Sequence, residues 1–162
     1  MTFKNKLHSI FLAAVVLSFL FACTQNDPNN NVTQTNNIKY VDKELTIDTF
    51  STYPPEIDGC SCYFSNDSME FKKGEYIYIN DYAQTSFLKI NGVLTKFTQT
   101  DFKQVDSLTV KVKYLSDNYE MTVVSIDGIQ NGDETWLKSG TIKVTDKSGK
   151  SITKAFYGEC GC

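Results

Sequence analysis

Short segments in which apolar and polar residues alternate recur between residues 75 and 157. The clearest is 108–114, where Val110, Val112 and Tyr114 take alternate positions and lysines fall between them. Because a period of two places successive side chains on opposite faces of a β-strand, this pattern predicts strands with one buried and one solvated face. The other segments of this kind are 75–79, 87–90, 93–97, 120–126, 140–145 and 151–157.

Glycine, asparagine and aspartate, the residues that favour turns, separate these segments. Asn91-Gly92 stands between two of them and is a strong signal for a two-residue β-hairpin. Turns at such short intervals favour antiparallel neighbours. We therefore predict an all-β fold, an antiparallel sandwich or a small barrel of about seven or eight strands. One segment, 100–106, is predicted instead as a helical turn with Asp101 as its N-cap.

The first 22 residues have the layout of an export signal. Lys4 and Lys6 precede an apolar run over residues 10–21. This run has 12 residues, whereas a helix needs about 20 to span the hydrocarbon core of a membrane. We therefore predict a cleaved signal peptide over residues 1–22 rather than a permanent membrane span.

The boundary of that segment reads Leu20-Phe21-Ala22-Cys23 and resembles the lipobox of bacterial lipoproteins, although Phe21 is bulkier than the usual second residue. The resemblance implies that Cys23 receives a diacylglyceryl group, that the chain is cut before it, and that the new amino group is acylated. It implies a membrane-anchored protein of the bacterial cell envelope that faces the periplasm or the exterior and needs no other cofactor. The alternative is an ordinary signal peptide with a chance cysteine.

Residues 23–37 follow as the lipidated cysteine and a linker rich in asparagine and threonine. This stretch has one aliphatic residue, Val32, and cannot bury enough apolar surface to offset the entropy of ordering it. It is predicted to be a flexible tether. The remainder, 38–162, is long enough for one β domain with its own core.

Charge and composition exclude several classes of function. Removing Lys4 and Lys6 from a chain of net charge −3 leaves −5, which disfavours nucleic-acid binding. All 16 basic residues are lysine, and the sole histidine, His8, lies in the predicted signal. Histidine-dependent nucleophiles, histidine-bound metals and arginine clamps on phosphate are therefore excluded from the mature chain.

Assigning Cys23 to a lipid leaves four of the five cysteines, arranged as two Cys-x-Cys pairs: Cys60 with Cys62 and Cys160 with Cys162. Residues i and i+2 share one face of a strand, so the two pairs can meet as facing pairs. Antiparallel strands give the bridges Cys60–Cys162 and Cys62–Cys160, and parallel strands give Cys60–Cys160 and Cys62–Cys162. The alternatives are a redox bridge within each pair, or a four-thiolate site for zinc or, by spacing, copper(I).

Three weaker patterns complete the sequence evidence. Residues 127–134 lack an oxygen ligand at their third position, Ile129, and are predicted to be a solvated turn rather than a calcium loop. Lys138-Ser139-Gly140 precedes a predicted strand and resembles the loops with Ser and Lys in small lipid-anchored β-barrel inhibitors of lysozyme, a resemblance in three residues and in general architecture. Carboxylates are plentiful but carry no spacing that pairs them: Asp58, Glu70, Asp81, Glu120 and Glu159.

Together these patterns predict a non-enzymatic binding or structural module, held at a membrane by Cys23, with a protein, glycan or other envelope component as its ligand. A second hypothesis is a metal-thiolate or thiol-redox protein that uses Cys60, Cys62, Cys160 and Cys162. A hydrolase that uses two carboxylates is the third.

Overall fold

A computed structural model describes residues 44–162. The predicted signal peptide, Cys23 and the linker to residue 37 lie outside the described residues. The chain forms these elements in order: β1 Ile47–Asp48, β2 Ser61–Ser65, α1 Ser68–Lys73, β3 Tyr78–Asn80, β4 Thr85–Ile90, β5 Val93–Gln104, β6 Thr109–Leu115, β7 Tyr119–Gln130, β8 Thr135–Asp146 and β9 Ser151–Gly161.

The strands β2 to β9 form a closed antiparallel barrel in which each strand pairs with the next along the chain and β9 pairs with β2. Strand β1 is an additional strand that pairs with β4. The all-β prediction is confirmed, and of its two alternatives the structure is the barrel. Closure pairs both edges of every barrel strand with a neighbour, which removes the exposed sheet edges that an open sandwich would leave.

The hairpin predicted at Asn91-Gly92 joins β4 to β5. Ile90 pairs with Val93, so two residues form the turn. Asn91 and Gly92 have φ angles of 49° and 83°, the left-handed conformations that the favoured two-residue turn requires. Local sequence therefore determines this connection.

The barrel interior is filled from one end. Large side chains that are fully buried form its core: Ile77, Tyr78, Leu88, Ile90, Phe97, Met121, Ile142 and Val144. Leu45 and Ile47 join this core beside the turn at Asn91, where the β6–β7 and β8–β9 turns also lie. The segment that contains Leu45 and Ile47 therefore fills this end of the barrel, and we call it the plug.

The prediction of a helical turn over 100–106 was wrong. Residues up to Gln104 belong to β5, and a β-bulge shifts the register between Gln99 and Asp101. The side chain of Asp101 caps no helix and lies 3.7 Å from the Nζ of Lys113 on β6. Successive residues from Thr100 to Gln104 are all exposed, so the polar composition of this segment reflects a strand with both faces exposed rather than a helix.

The helix that does form, α1, was not predicted. Asp67 caps its first turn by accepting from the backbone N–H groups of Met69 and Glu70, and Gly74 ends it at a φ of 71°. On the outside of the barrel, Phe71 stacks on Tyr63 with ring centroids 5.6 Å apart. The helix therefore covers the outer face of β2, and Tyr53 and Tyr76 contact Tyr63 edge to face.

Candidate binding site in the barrel lumen

The barrel opens at the end opposite the plug. The β3–β4, β5–β6 and β7–β8 turns lie at this end, and a cavity of about 350 Å³, lined by Tyr82 and Ala83 of the β3–β4 turn and by strand residues, reaches into the lumen. Its lining combines buried side chains at the inner end with half-exposed ones at the mouth: Cys62, Phe64, Tyr78, Asn80, Tyr82, Ala83, Gln99, Phe102, Val110, Val112, Tyr114, Val123, Ser125, Asp127, Lys138 and Cys160.

Two disulfides fasten β9 to β2 at this end. Cys60 is joined to Cys162 and Cys62 to Cys160, which is the pairing predicted for antiparallel strands. Cys62 and Cys160 are direct partners in the strand register, and their bridge lines the cavity. The disulfides are confirmed, and a bridge within each Cys-x-Cys pair is wrong.

The four-thiolate metal site also does not agree with the structure. A metal is held by thiolates, and sulfur atoms joined in disulfides have none to offer. Across residues 44–162, no group of three or more histidine, cysteine, aspartate or glutamate side chains is arranged to hold a metal ion. The cysteines contribute to this site by lining part of the cavity and by holding β9 against β2.

Asn80 organises the polar groups at the inner end of the cavity. Its Oδ1 accepts from the backbone N–H groups of Cys62 and Tyr82, at 3.0 and 3.1 Å. Its Nδ2 donates to the hydroxyl of Tyr78 at 3.0 Å, and that hydroxyl lies 3.0 Å from the hydroxyl of Tyr114. One side chain therefore links β2, β3 and the β3–β4 turn to the two buried tyrosines.

Both tyrosines are neutral at physiological pH, where an ordinary tyrosine is already protonated, and burial raises the pKa of each further. The loss of hydration raises the pKa of Tyr78 well above its ordinary value, and the neighbouring Tyr114 raises it further. Burial likewise raises the pKa of Tyr114, although the hydrogen bond from Tyr78 acts in the opposite direction. Both side chains therefore carry their hydroxyl hydrogens at physiological pH.

An ion pair lies on the wall nearer the mouth. Asp127 on β7 and Lys138 on β8 are register partners, with Lys138 Nζ 2.5 Å from Asp127 Oδ1. The Lys138 side chain is only 11% exposed, and the Asp127 side chain is 40% exposed. Lys138-Ser139-Gly140, which resembles a loop of the inhibitors of lysozyme, does not form a loop here: these residues lie within β8, and Lys138 lines the cavity.

The solvated turn predicted over 127–134 covers only the outer part of that segment. Strand β7 continues to Gln130, with a bulge between Asp127 and Gln130, and the turn is confined to residues 131–134. Asp127 is therefore the carboxylate of the cavity. None of the five carboxylates singled out from the sequence lines it, and Glu159, for example, accepts from Tyr63 and Asn131.

The mouth carries large apolar side chains in water. Tyr82 lines the cavity at 51% exposure and has a φ of 61°, a conformation that is strained for a residue other than glycine. Phe102 lines it from β5 at 57% exposure. Further exposed apolar residues lie in or beside the adjoining turns: Val105, Leu108, Ile129 and Trp136. An apolar mouth in front of an apolar lumen is the arrangement of a site that admits an apolar ligand.

Sequence reasoning did not identify this site. Tyr114 takes an apolar-face position in the predicted strand 108–114, so its hydroxyl on an inward face was the available signal. Segment 75–79 has apolar residues on both faces, so alternation does not place Tyr78. Comparisons of the chain with protein-family models, with curated proteins and with solved structures give no match. Within the described residues, no helix is long and apolar enough to cross a membrane.

Proposed function

We propose that this protein is a lipid-anchored binding module of the bacterial cell envelope, which takes a small ligand into the open end of its barrel. The cavity of about 350 Å³ is the observation that carries the proposal. Sites for small molecules typically measure about 300–1,000 Å³ and combine mainly apolar walls with a few well-placed polar groups. Phe64, Val112 and Val123 supply such walls, and Asn80 and Tyr114 supply polar groups.

The disulfides support the extracytoplasmic part of the proposal. Two disulfides in a β-barrel fit an extracytoplasmic binding module, since disulfides persist in oxidising compartments. The lipobox-like sequence that ends at Cys23 supports the anchor. Two or more acyl chains hold a protein stably at a membrane, so a lipidated Cys23 would keep the barrel there on a tether.

Photolabelling tests whether the lumen binds. The protein, purified as its cell processes it, is irradiated with trifluoromethyl-phenyldiazirine, a small neutral apolar reagent, and the labelled peptides are identified by mass spectrometry. We expect label on β6 and β7, in the peptides that contain Val112 and Val123. Val110→Trp should fill the mouth side of the cavity and reduce this labelling at least fivefold.

Val124→Trp is the matched control. Val124 is next to Val123 on β7 but is not part of the cavity lining, so the same added volume lies on the outer face. Labelling of the β6 and β7 peptides should be unchanged in this variant. Label spread over exposed peptides, or equal label in Val110→Trp and wild type, would refute lumen binding.

A further inference from the structure

We infer that the cavity takes a small neutral molecule whose inner end carries a hydrogen-bond acceptor, such as a ketone or ester oxygen, facing the hydroxyl of Tyr114. This inference rests on the proposed function and specifies its ligand class.

The polar side chains at the inner end of the cavity have more donor hydrogens than acceptor oxygens. Asn80 Oδ1 is taken by the N–H groups of Cys62 and Tyr82, which fixes the orientation of the amide. Asn80 Nδ2 then donates to the Tyr78 hydroxyl, which donates to the Tyr114 hydroxyl. The hydrogen of Tyr114 remains, and within residues 44–162 the Tyr114 hydroxyl donates to no other group.

The donor direction from Tyr78 to Tyr114 leaves the surplus hydrogen on Tyr114, and both side chains line the cavity. The Ser86 hydroxyl, opposite Asn80 in the β3–β4 register, is buried beside the Tyr78 hydroxyl and does not line the cavity, so it is available to Tyr78 rather than to a ligand. Buried donors are nearly always paired in folded proteins, so an acceptor on a ligand fits opposite the Tyr114 hydroxyl.

Charge favours a neutral acceptor over a carboxylate. Lys138 is the one cation among the residues that line the cavity, and Asp127 already neutralises it at 2.5 Å. A ligand carboxylate at the inner end would be buried without a free cation, which is costly. A carbonyl oxygen accepts the same hydrogen bond at a much smaller cost of desolvation.

The walls define the remainder of the ligand. Phe64, Val112 and Val123 are buried around the lumen, and the Cys62–Cys160 disulfide adds a further apolar surface. The cavity therefore suits a ligand in which an aromatic or branched aliphatic group is bonded directly to the carbon that carries the acceptor oxygen.

Competition against the diazirine label tests this inference. The competitors share one frame: 4-tert-butylacetophenone, its hydrocarbon analogue 1-tert-butyl-4-isopropylbenzene, and 4-tert-butylbenzoate. The concentration that halves lumen labelling is measured for each on wild type, on Tyr114→Phe and on Tyr119→Phe. Tyr119 lies at the plugged end of the barrel and serves as the matched control.

The ketone concentration that halves lumen labelling should be about fivefold higher for Tyr114→Phe than for wild type, because one buried hydrogen bond is lost. It should be unaffected by Tyr119→Phe. The hydrocarbon should protect all three proteins equally, which also shows that the lumen of Tyr114→Phe is intact. Each comparison of wild type with a variant is within one compound, so differences in partition into detergent cancel. The benzoate and the ketone are compared on wild type at equal free concentrations.

Three results would overturn the inference: a ketone that is indifferent to Tyr114→Phe, a hydrocarbon that weakens as much as the ketone, or a benzoate that protects wild type better than the ketone. In each of these the lumen still binds and the proposed function stands. If the diazirine labels no lumen peptide in wild type, the proposed function fails as well.

Discussion

At the scale of single residues, Gly140 shows how closely the strands of this barrel pack. It lies in the middle of β8 with a φ of 158°, and a Cβ built there would be 1.9 Å from the backbone oxygen of Val124. The ring of Phe156, its partner on β9, would be 2.9 Å away. Glycine is required because no side chain fits between these strands.

Gly140→Ala should therefore lower the free energy of unfolding by about 3 kcal/mol, through overpacking and backbone strain together. Urea denaturation measures the loss. Gly128→Ala is the control, because a Cβ there would be 3.0 Å from the nearest atom, the carbonyl oxygen of Leu137. A loss at Gly140 no larger than at Gly128 would contradict this account of the packing.

Cys23 carries the proposal of a membrane anchor. Cells that produce the protein should incorporate an alkyne-tagged palmitate analogue into it, because the acyl chains are attached at this residue. Cys23→Ser should abolish the label, and Cys162→Ser, which removes another cysteine, should keep it. Label that persists in Cys23→Ser would show that the lipid is elsewhere or that the interpretation of the lipobox is wrong.

Residue-level prediction succeeded where a neighbour in sequence decides the outcome, as at Asn91-Gly92. It failed for the inner end of the cavity. Tyr114 could be placed on an inward face by alternation, but its hydroxyl meets that of Tyr78 across 36 residues of chain. That contact depends on how far each strand is shifted along its neighbour around the closed barrel, and one sequence does not specify this shift.

At the scale of elements, the two disulfides act on the same pair of strands. The loops that they close are nearly equal, with sequence separations of 102 and 98 residues. In the chain-entropy model, closing a loop of this length contributes about 4.7 kcal/mol, and a second bridge beside the first adds little. The Cys62–Cys160 bridge, however, is also buried against the lumen.

Replacing Cys60 and Cys162 by alanine should accordingly cost less than about 1 kcal/mol, because the other bridge still closes the loop. Replacing Cys62 and Cys160 should cost about 2 kcal/mol, since buried sulfur contacts are lost as well. Removing all four should cost about 6–7 kcal/mol, because loop closure and the buried sulfur contacts are lost together. Urea denaturation of the three variants decides this, and equal large losses for the two single-bridge variants would exclude redundancy.

Strand and helix prediction differed in success for a physical reason. Strands with one wet face have a readable period of two, and 108–114, 120–126 and 151–157 all lie in or overlap β6, β7 and β9. Helix α1 has six residues and no buried ones, so it has no apolar stripe to detect. The polar outer part of β5 lacked alternation because a bulge interrupts it.

At the scale of the whole molecule, the barrel is asymmetric along its axis. One end is filled by Leu45 and Ile47, and the other is open onto a cavity fastened by disulfides. Eight strands make a lumen that side chains just fill or that leaves space for one small ligand. Here side chains fill one half of the lumen and the other half is open. The proposed binding function rests on the open half.

The central claim is that ligand enters this open half, and methyl NMR of the valines tests it most directly. Addition of 4-tert-butylacetophenone should shift the methyl signals of Val110, Val112 and Val123, which line the cavity. It should leave those of Val144 and Val93, which do not line it, unchanged. Saturable shifts at Val93 with none at Val112 and Val123 would place binding outside the lumen and contradict the account.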